Sequence, residues 1–170
     1  MKWLFALVTV MSLLTPTVFA QSQGDEGVKI EDKWLLGRVE WLWLPVLGDS
    51  VKARIDSGAK TSSMSATDIE EFRKDGQRWI RFSFNHKDHL ERLEAPLSRY
   101  VRIRQANSKQ LDRRPVILLP VQLGGMAKEV EFTLKDRTRM IYPVLLGREF
   151  MGKEVLIDPS RLYIQPVREK

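Results

Sequence analysis

Residues 54–61 read Arg-Ile-Asp-Ser-Gly-Ala-Lys-Thr, and the role given to Asp56 decides how the rest of the chain is read. Val51 to Ile55 alternates apolar and polar residues, the pattern of a half-buried strand, and runs directly into a turn of small residues. Short Asp/Ser/Gly turns are common, so Asp56 can be a turn residue that only satisfies local backbone N–H groups. The same letters also suit chemistry. A carboxylate acts as a general base toward water when its surroundings are fixed, and two carboxylates sharing one proton divide the work of base and acid. Such a site needs a small hydroxyl residue to lock the turn and a glycine that lets backbone approach the carboxylate. Asp56-Ser57-Gly58-Ala59 supplies those types in that order. Ser57 and Lys60 also form an S-x-x-K pair, used by some serine acyl-enzymes. Those enzymes need a K-T-G strand, however, and the K-T here, Lys60-Thr61, is followed by Ser62. Thr61 to Ser65 is also poor helix sequence, where that serine would have to begin a helix.

Working outward, residues 1–20 have the three parts of a cleavable export signal: Lys2, the apolar run Trp3 to Leu14, and the small residue Ala20 at the end of Val18-Phe19-Ala20. Thr15-Pro16-Thr17 interrupts the run too early for a spanning helix. The expectation is cleavage after Ala20, a flexible mature N-terminus over 21–33, one domain over 34–166 and a short tail over 167–170. No stable membrane span is expected after cleavage. The chain contains no cysteine, which excludes disulfides and thiolate metal sites. Export without disulfides leans toward the bacterial periplasm. The formal net charge is +6 with the basic residues dispersed, which argues for solvated faces and against a nucleic-acid partner.

From Trp34 the texture is that of a β protein. Trp41 and Trp43 alternate against Leu42 and Leu44, and Ile80, Phe82 and Phe84 share one face of another strand. Gly124-Gly125 marks a hairpin, and Asp158-Pro159-Ser160 a turn between Val155–Ile157 and Leu162–Gln165. Met140 to Leu146 reads as a buried strand running into Gly147. Thr67 to Lys74 is the best helix candidate, with Thr67 as N-cap and Glu70-Glu71 in the first turn. Many short strands with turn punctuation predict a mainly β, closed-barrel domain with one or two short helices.

The Asp-Ser-Gly-Ala turn gains weight from Val144-Leu145-Leu146-Gly147-Arg148 far downstream. Together with RRPVI, VEFTLKDR, YPVLLGREFM and VLIDPSRLYI, these stretches resemble the retropepsin-like aspartic peptidases. They resemble most closely the bacterial, RimK-associated branch labelled "ATP-dependent zinc protease". The resemblance spans Trp34 to Ile164. It implies a retropepsin-like barrel in which Asp56 is catalytic, Ser57, Gly58 and Ala59 shape its loop, and Leu145, Leu146, Gly147 and Arg148 support that loop. With one D-S-G in the chain, it implies a homodimer with Asp56 from each copy at the twofold axis. The partner would be a peptide or protein substrate. The alternative is a catalytically silent binding or scaffold protein on the same fold, serving an amide-ligase or peptide-conjugate pathway.

Two departures from the family pattern matter. In viral relatives the residue after D-T-G-A is an acid that pairs with the arginine of the later G-R. Here that residue is Lys60, which cannot pair with Arg148, and Glu149 is the substitute partner. Pro166 limits ladder pairing in what would be the dimer-forming terminal strand. The flap candidate is polar: Arg104, Gln105, Ala106, Asn107, Ser108 and Lys109, continuing to Arg114. The family label's zinc and ATP find no motif. His86-Lys87-Asp88-His89 lacks the H-E-x-x-H spacing, and no G-x-x-x-x-G-K-[ST] occurs. No metal and no cofactor are expected.

Overall fold

The computed structural model describes residues 27–104 and 111–168. Twelve strands and one short helix follow in chain order: β1 Lys29–Ile30, β2 Lys33–Gly37, β3 Val39–Leu44, β4 Asp49–Ile55, β5 Ser62–Ser65, β6 Thr67–Lys74, β7 Gln77–His86, β8 His89–Arg104, β9 Leu111–Leu123, β10 Met126–Lys135, β11 Val144–Leu146, α1 Arg148–Met151 and β12 Val155–Asp158. The molecule is mainly β, as the alternation predicts. β10, β5, β11, β4, β3 and β9 pair in that order, and β9 pairs back onto β10, so six strands form a closed ring. β8, β7 and β6 continue outward from β9 as a wing, while β1, β2 and β12 form a separate small sheet.

Period-two patterning drives the closure. Val51, Ala53 and Ile55 of β4 turn inward while Lys52 and Arg54 face out. Val130, Phe132 and Leu134 of β10 fill the ring, and Ile80, Phe82 and Phe84 of β7 are fully buried. Glu40 breaks this pattern as a fully buried carboxylate on β3. Burial pushes its carboxyl above the ordinary 4.5, opposed by backbone N–H groups of Gly37, Gln165 and Ile164. Those groups donate at 2.6 Å (Gly37 to Oε1), 3.1 Å (Ile164 to Oε1) and 3.2 Å (Gln165 to Oε2). Gln165 in turn donates to the carbonyls of Val28 and Leu35. The chain end is thereby fastened to its own β1–β3 region.

Three expectations need correction. Thr67–Lys74 is a strand, β6, not a helix. It pairs with β7 in register from Glu70 to Lys74, with Glu70 opposite Arg81 and Phe72 opposite Trp79, after a register shift between Thr67 and Glu70. Asp75-Gly76, at φ 50° and 77°, makes the tight turn between the two strands. Tertiary pairing outweighs the weak helix preference of the segment. Met140 to Leu146 is not one buried strand: β11 covers Val144–Leu146 alone, and Met140 and Ile141 are 59% and 88% exposed. The preceding residues turn at Arg137, whose carbonyl accepts from the Met140 N–H at 2.7 Å. Leu162–Gln165 is not a strand either: Glu40 accepts from the Ile164 and Gln165 N–H groups, and among the described residues a single main-chain bond, Tyr163 N–H to Val39 O at 2.9 Å, ties the segment to β3.

Candidate active site

β4 ends at Ile55 and β5 begins at Ser62, and β11 is inserted between them, parallel to β4 and antiparallel to β5. The turn 56–61 must therefore arch over the end of β11. The Asp56 N–H donates to Leu146 O at 2.9 Å, extending the ladder to the acid. Oδ1 of Asp56 accepts from the N–H of Gly58 at 3.0 Å and of Ala59 at 3.2 Å. The Ala59 N–H is shared with Asp56 O, also at 3.2 Å. Among the described residues no hydrogen bond reaches Oδ2.

The turn rests on the start of α1. The Gly147 N–H donates to the buried Ser62 Oγ at 3.1 Å. A Cβ on Gly147 would lie 2.6 Å from the backbone C and O of Thr61, so only glycine lets the two segments come this close. Arg148 does not reach Lys60; its Nη1 donates to Ser57 O at 2.9 Å and Gly58 O at 3.1 Å. Lys60 pairs with Glu149 at 3.8 Å, an exposed contact worth little stability. Leu146 and Gly147 are buried beneath the turn, and Leu145 is half-buried.

Asp56 opens onto a groove of about 310 Å³ lined by Arg54, Arg137, Arg139, Met140, Ile141 and Tyr142, with Leu145 at its floor. A second groove of about 430 Å³ adjoins it through Arg54 and Tyr142 and reaches Ser57, Arg38 and Ile157. Among the described residues, Asp56 is the one acid in either lining. Burial lowers the Arg137 guanidinium from its ordinary value, and the Asp56 charge opposes that shift. Nearby Arg114 and Arg54 push in the same direction as burial, and Arg54, Arg137 and Arg139 share the groove lining with Asp56. This cationic wall was not anticipated. Arg54 was readable, two residues before Asp56 on the exposed side of β4. Arg137 and Arg139 reach the groove only through the long-range placement of the 136–143 loop.

The flap candidate falls on the β8–β9 hairpin, whose last pair is Arg104 opposite Leu111. Gln105, Ala106, Asn107, Ser108 and Lys109 lie outside the described residues. The base of the hairpin is tied to the wing: Glu71 takes both Arg78 and the Tyr100 hydroxyl, and Arg113 stacks 3.5 Å from the Tyr100 ring centre. His86 of the H-x-x-H stretch lies 3.0 Å from Asp49 Oδ2, while His89 is exposed.

Comparison with known proteins bears on this geometry. A family model described as RimB-like, the retropepsin-like aspartic endopeptidase RimB, matches residues 35–168. A probable alpha-L-glutamate ligase of Shewanella halifaxensis is 39% identical over 138 residues, covering 78% of this chain and 30% of that protein. Its counterpart in Desulfotalea psychrophila is 38% identical over 132 residues, 75% of this chain and 28% of that protein. The chain thus spans under a third of the length of these relatives. A crystal structure of a Legionella pneumophila protein of unknown function has a TM-score of 0.67 at 30% identity, covering 76% of this chain and 95% of that one. The chain belongs to the RimB-like family of retropepsin-like aspartic endopeptidases.

Proposed function

We propose that the protein is an aspartic endopeptidase working as a homodimer, with Asp56 from each copy at a shared centre. The observation that carries the reading is the state of Asp56. Oδ1 is fixed by two backbone N–H groups, and the side chain opens onto a groove with no other acid among the described residues of its lining. Retropepsin chemistry needs two carboxylates, so the second comes from another copy. The exposed Ser57 hydroxyl, which makes no hydrogen bond among the described residues, is free to bridge the two loops.

In the reaction, the ionised carboxylate takes a proton from water as the water oxygen bonds to the scissile carbonyl carbon. The protonated partner gives its proton to the carbonyl oxygen. The resulting diol breaks its C–N bond as the nitrogen takes the proton held by the first carboxyl, and the second carboxylate takes back a proton from a diol hydroxyl as the product carboxyl group forms. No bond to the protein forms.

The guanidiniums around the groove favour a substrate carrying carboxylates, and the glutamate ligase names of the relatives fit that choice. Residues 1–20 support export to the periplasm. The test is cleavage of a glutamate-rich peptide against a neutral one across acid to neutral pH, with Asp56→Asn as control and solution mass by light scattering. Cleavage lost in Asp56→Asn and present only at dimer concentrations is the expected result. A strict monomer that cleaves nothing at any pH sinks the peptidase reading and leaves a binding protein on the same fold.

A further inference from the structure

Four consecutive carbonyl oxygens of the active-site turn are taken by two residues of α1. Arg148 Nη1 donates to those of Ser57 and Gly58. The Arg148 N–H donates to Ala59 O at 2.9 Å, and the Glu149 N–H to Lys60 O at 3.0 Å. The first two carry the argument. The Ser57 carbonyl and the Gly58 N–H belong to one peptide group, and the Gly58 carbonyl and the Ala59 N–H belong to the next. Those two N–H groups are the ones that donate to Asp56 Oδ1. Each peptide group therefore stands between a cation and a carboxylate oxygen, with its dipole aligned to both.

We propose that Arg148 is a positioning residue for Asp56 that acts through these two peptide groups without touching the carboxylate. Hydrogen bonds in series polarise one another, by about 10–30% per bond. The guanidinium strengthens both N–H donors and holds the turn in the one geometry where they converge on Oδ1. Oδ2 is then the oxygen left to meet water and substrate. Lys60 explains why this arm is free: with no acid at that position, Arg148 has no side-chain partner on the turn and spends its donors on main chain. Both bonds leave one nitrogen that carries two hydrogens in the guanidinium plane. A lysine ammonium has the donors but not the rigid plane. The catalytic consequence rests on the peptidase reading above; the relay itself does not.

The experiment follows the Gly58 and Ala59 amides by ¹H–¹⁵N NMR in the full chain, for wild type, Arg148→Gln, Arg148→Lys and Glu149→Gln. Arg148→Gln moves both amide protons upfield and speeds their hydrogen exchange about ten-fold or more, because the cooperative bond is gone. Arg148→Lys falls between, and Glu149→Gln, which removes only the exposed pair with Lys60, moves neither amide. In cleavage assays Arg148→Gln lowers kcat about 10–100-fold with KM within about two-fold, since a misplaced carboxylate weakens the transition state more than binding. If Arg148→Gln does not fold, Arg148→Lys is read alone against wild type. Unmoved amides in a folded Arg148 variant, or equal movement in Glu149→Gln, overturn the proposal. Should the wild type cleave no peptide while the amides respond as expected, the relay stands and the peptidase reading falls alone.

Discussion

Replacing Gly147 with alanine separates a steric requirement from a conformational one. The residue sits at φ −86° and ψ 179°, extended backbone that alanine adopts freely. Backbone entropy alone would therefore favour the variant by about 0.4–1 kcal/mol. Space decides the sign instead. The new Cβ would lie 2.6 Å from both the C and O of Thr61 and 2.9 Å from Lys60 O, all of them main-chain atoms that no rotamer change can move. Ordinary contact requires the segments to part by about 0.8 Å, and such overpacking costs about 1–3 kcal/mol. The same movement stretches the buried Gly147 N–H to Ser62 Oγ bond, at about 1–3 kcal/mol for a donor left without its partner. The net loss is about 3 kcal/mol, a fall in Tm of roughly 6–12 °C for a domain of this size. Calorimetry and urea titration measure it, and the peptide assay should fail with it because the Asp56 turn rests on this contact. A variant melting within about 2 °C of wild type, with cleavage intact, would refute the claim that close approach at Gly147 sets the turn.

Gly58→Ala places a Cβ 3.2 Å from Asp56 Oδ1, a mild contact, so it should lower kcat while leaving the unfolding free energy from urea titration within about 0.5 kcal/mol of wild type. Glu40→Gln puts an amide NH₂ among three backbone donors and should cost about 1–3 kcal/mol by chemical denaturation. The wild-type Glu40 carboxyl is raised in the fold, so its contribution is present below the ordinary 4.5 and is lost as pH rises through the folded value; the glutamine variant should lack that decline. Glu71 has the opposite sign: Arg78 and the Tyr100 hydroxyl lower it to about 2, so its contribution is full above 4.5 and disappears as pH falls toward 2, and Glu71→Gln should flatten that limb of the Tm profile. Arg54→Glu should raise KM for a glutamate-rich peptide about ten-fold or more while sparing a neutral peptide, as read by initial rates.

How far the sequence carries toward this site depends on the range of the interactions involved. Val51 to Ile55 alternates cleanly, and Trp79 to Phe84 keeps Ile80, Phe82 and Phe84 on one buried face although Ser83 is buried too, so both are legible because burial and period coincide within a few residues. β6 resembles a helix in sequence because its acidic start imitates a helix N-terminus, although Asp75-Gly76 directly after it is a hairpin signal that outranks propensity. The Asp56 turn and its Gly147 support are legible as a motif. What the motif does not disclose is that Arg148 bonds main chain in place of a side-chain acid, because that depends on where Lys60 points once the turn has closed. The chain end shows the same limit at longer range. Pro166 correctly warns against a terminal strand, but the clamp that replaces it joins Glu40 to residues 124 and 125 positions later. That clamp has a consequence for assembly. A segment held by a fully buried carboxylate and by Gln165 cannot also supply the interleaved terminal sheet of the viral enzymes without breaking those bonds. If the proposed dimer forms with these bonds intact, the Asp56 turn and the exposed residues around its grooves, Met140 and Ile141 among them, are the surface left for it.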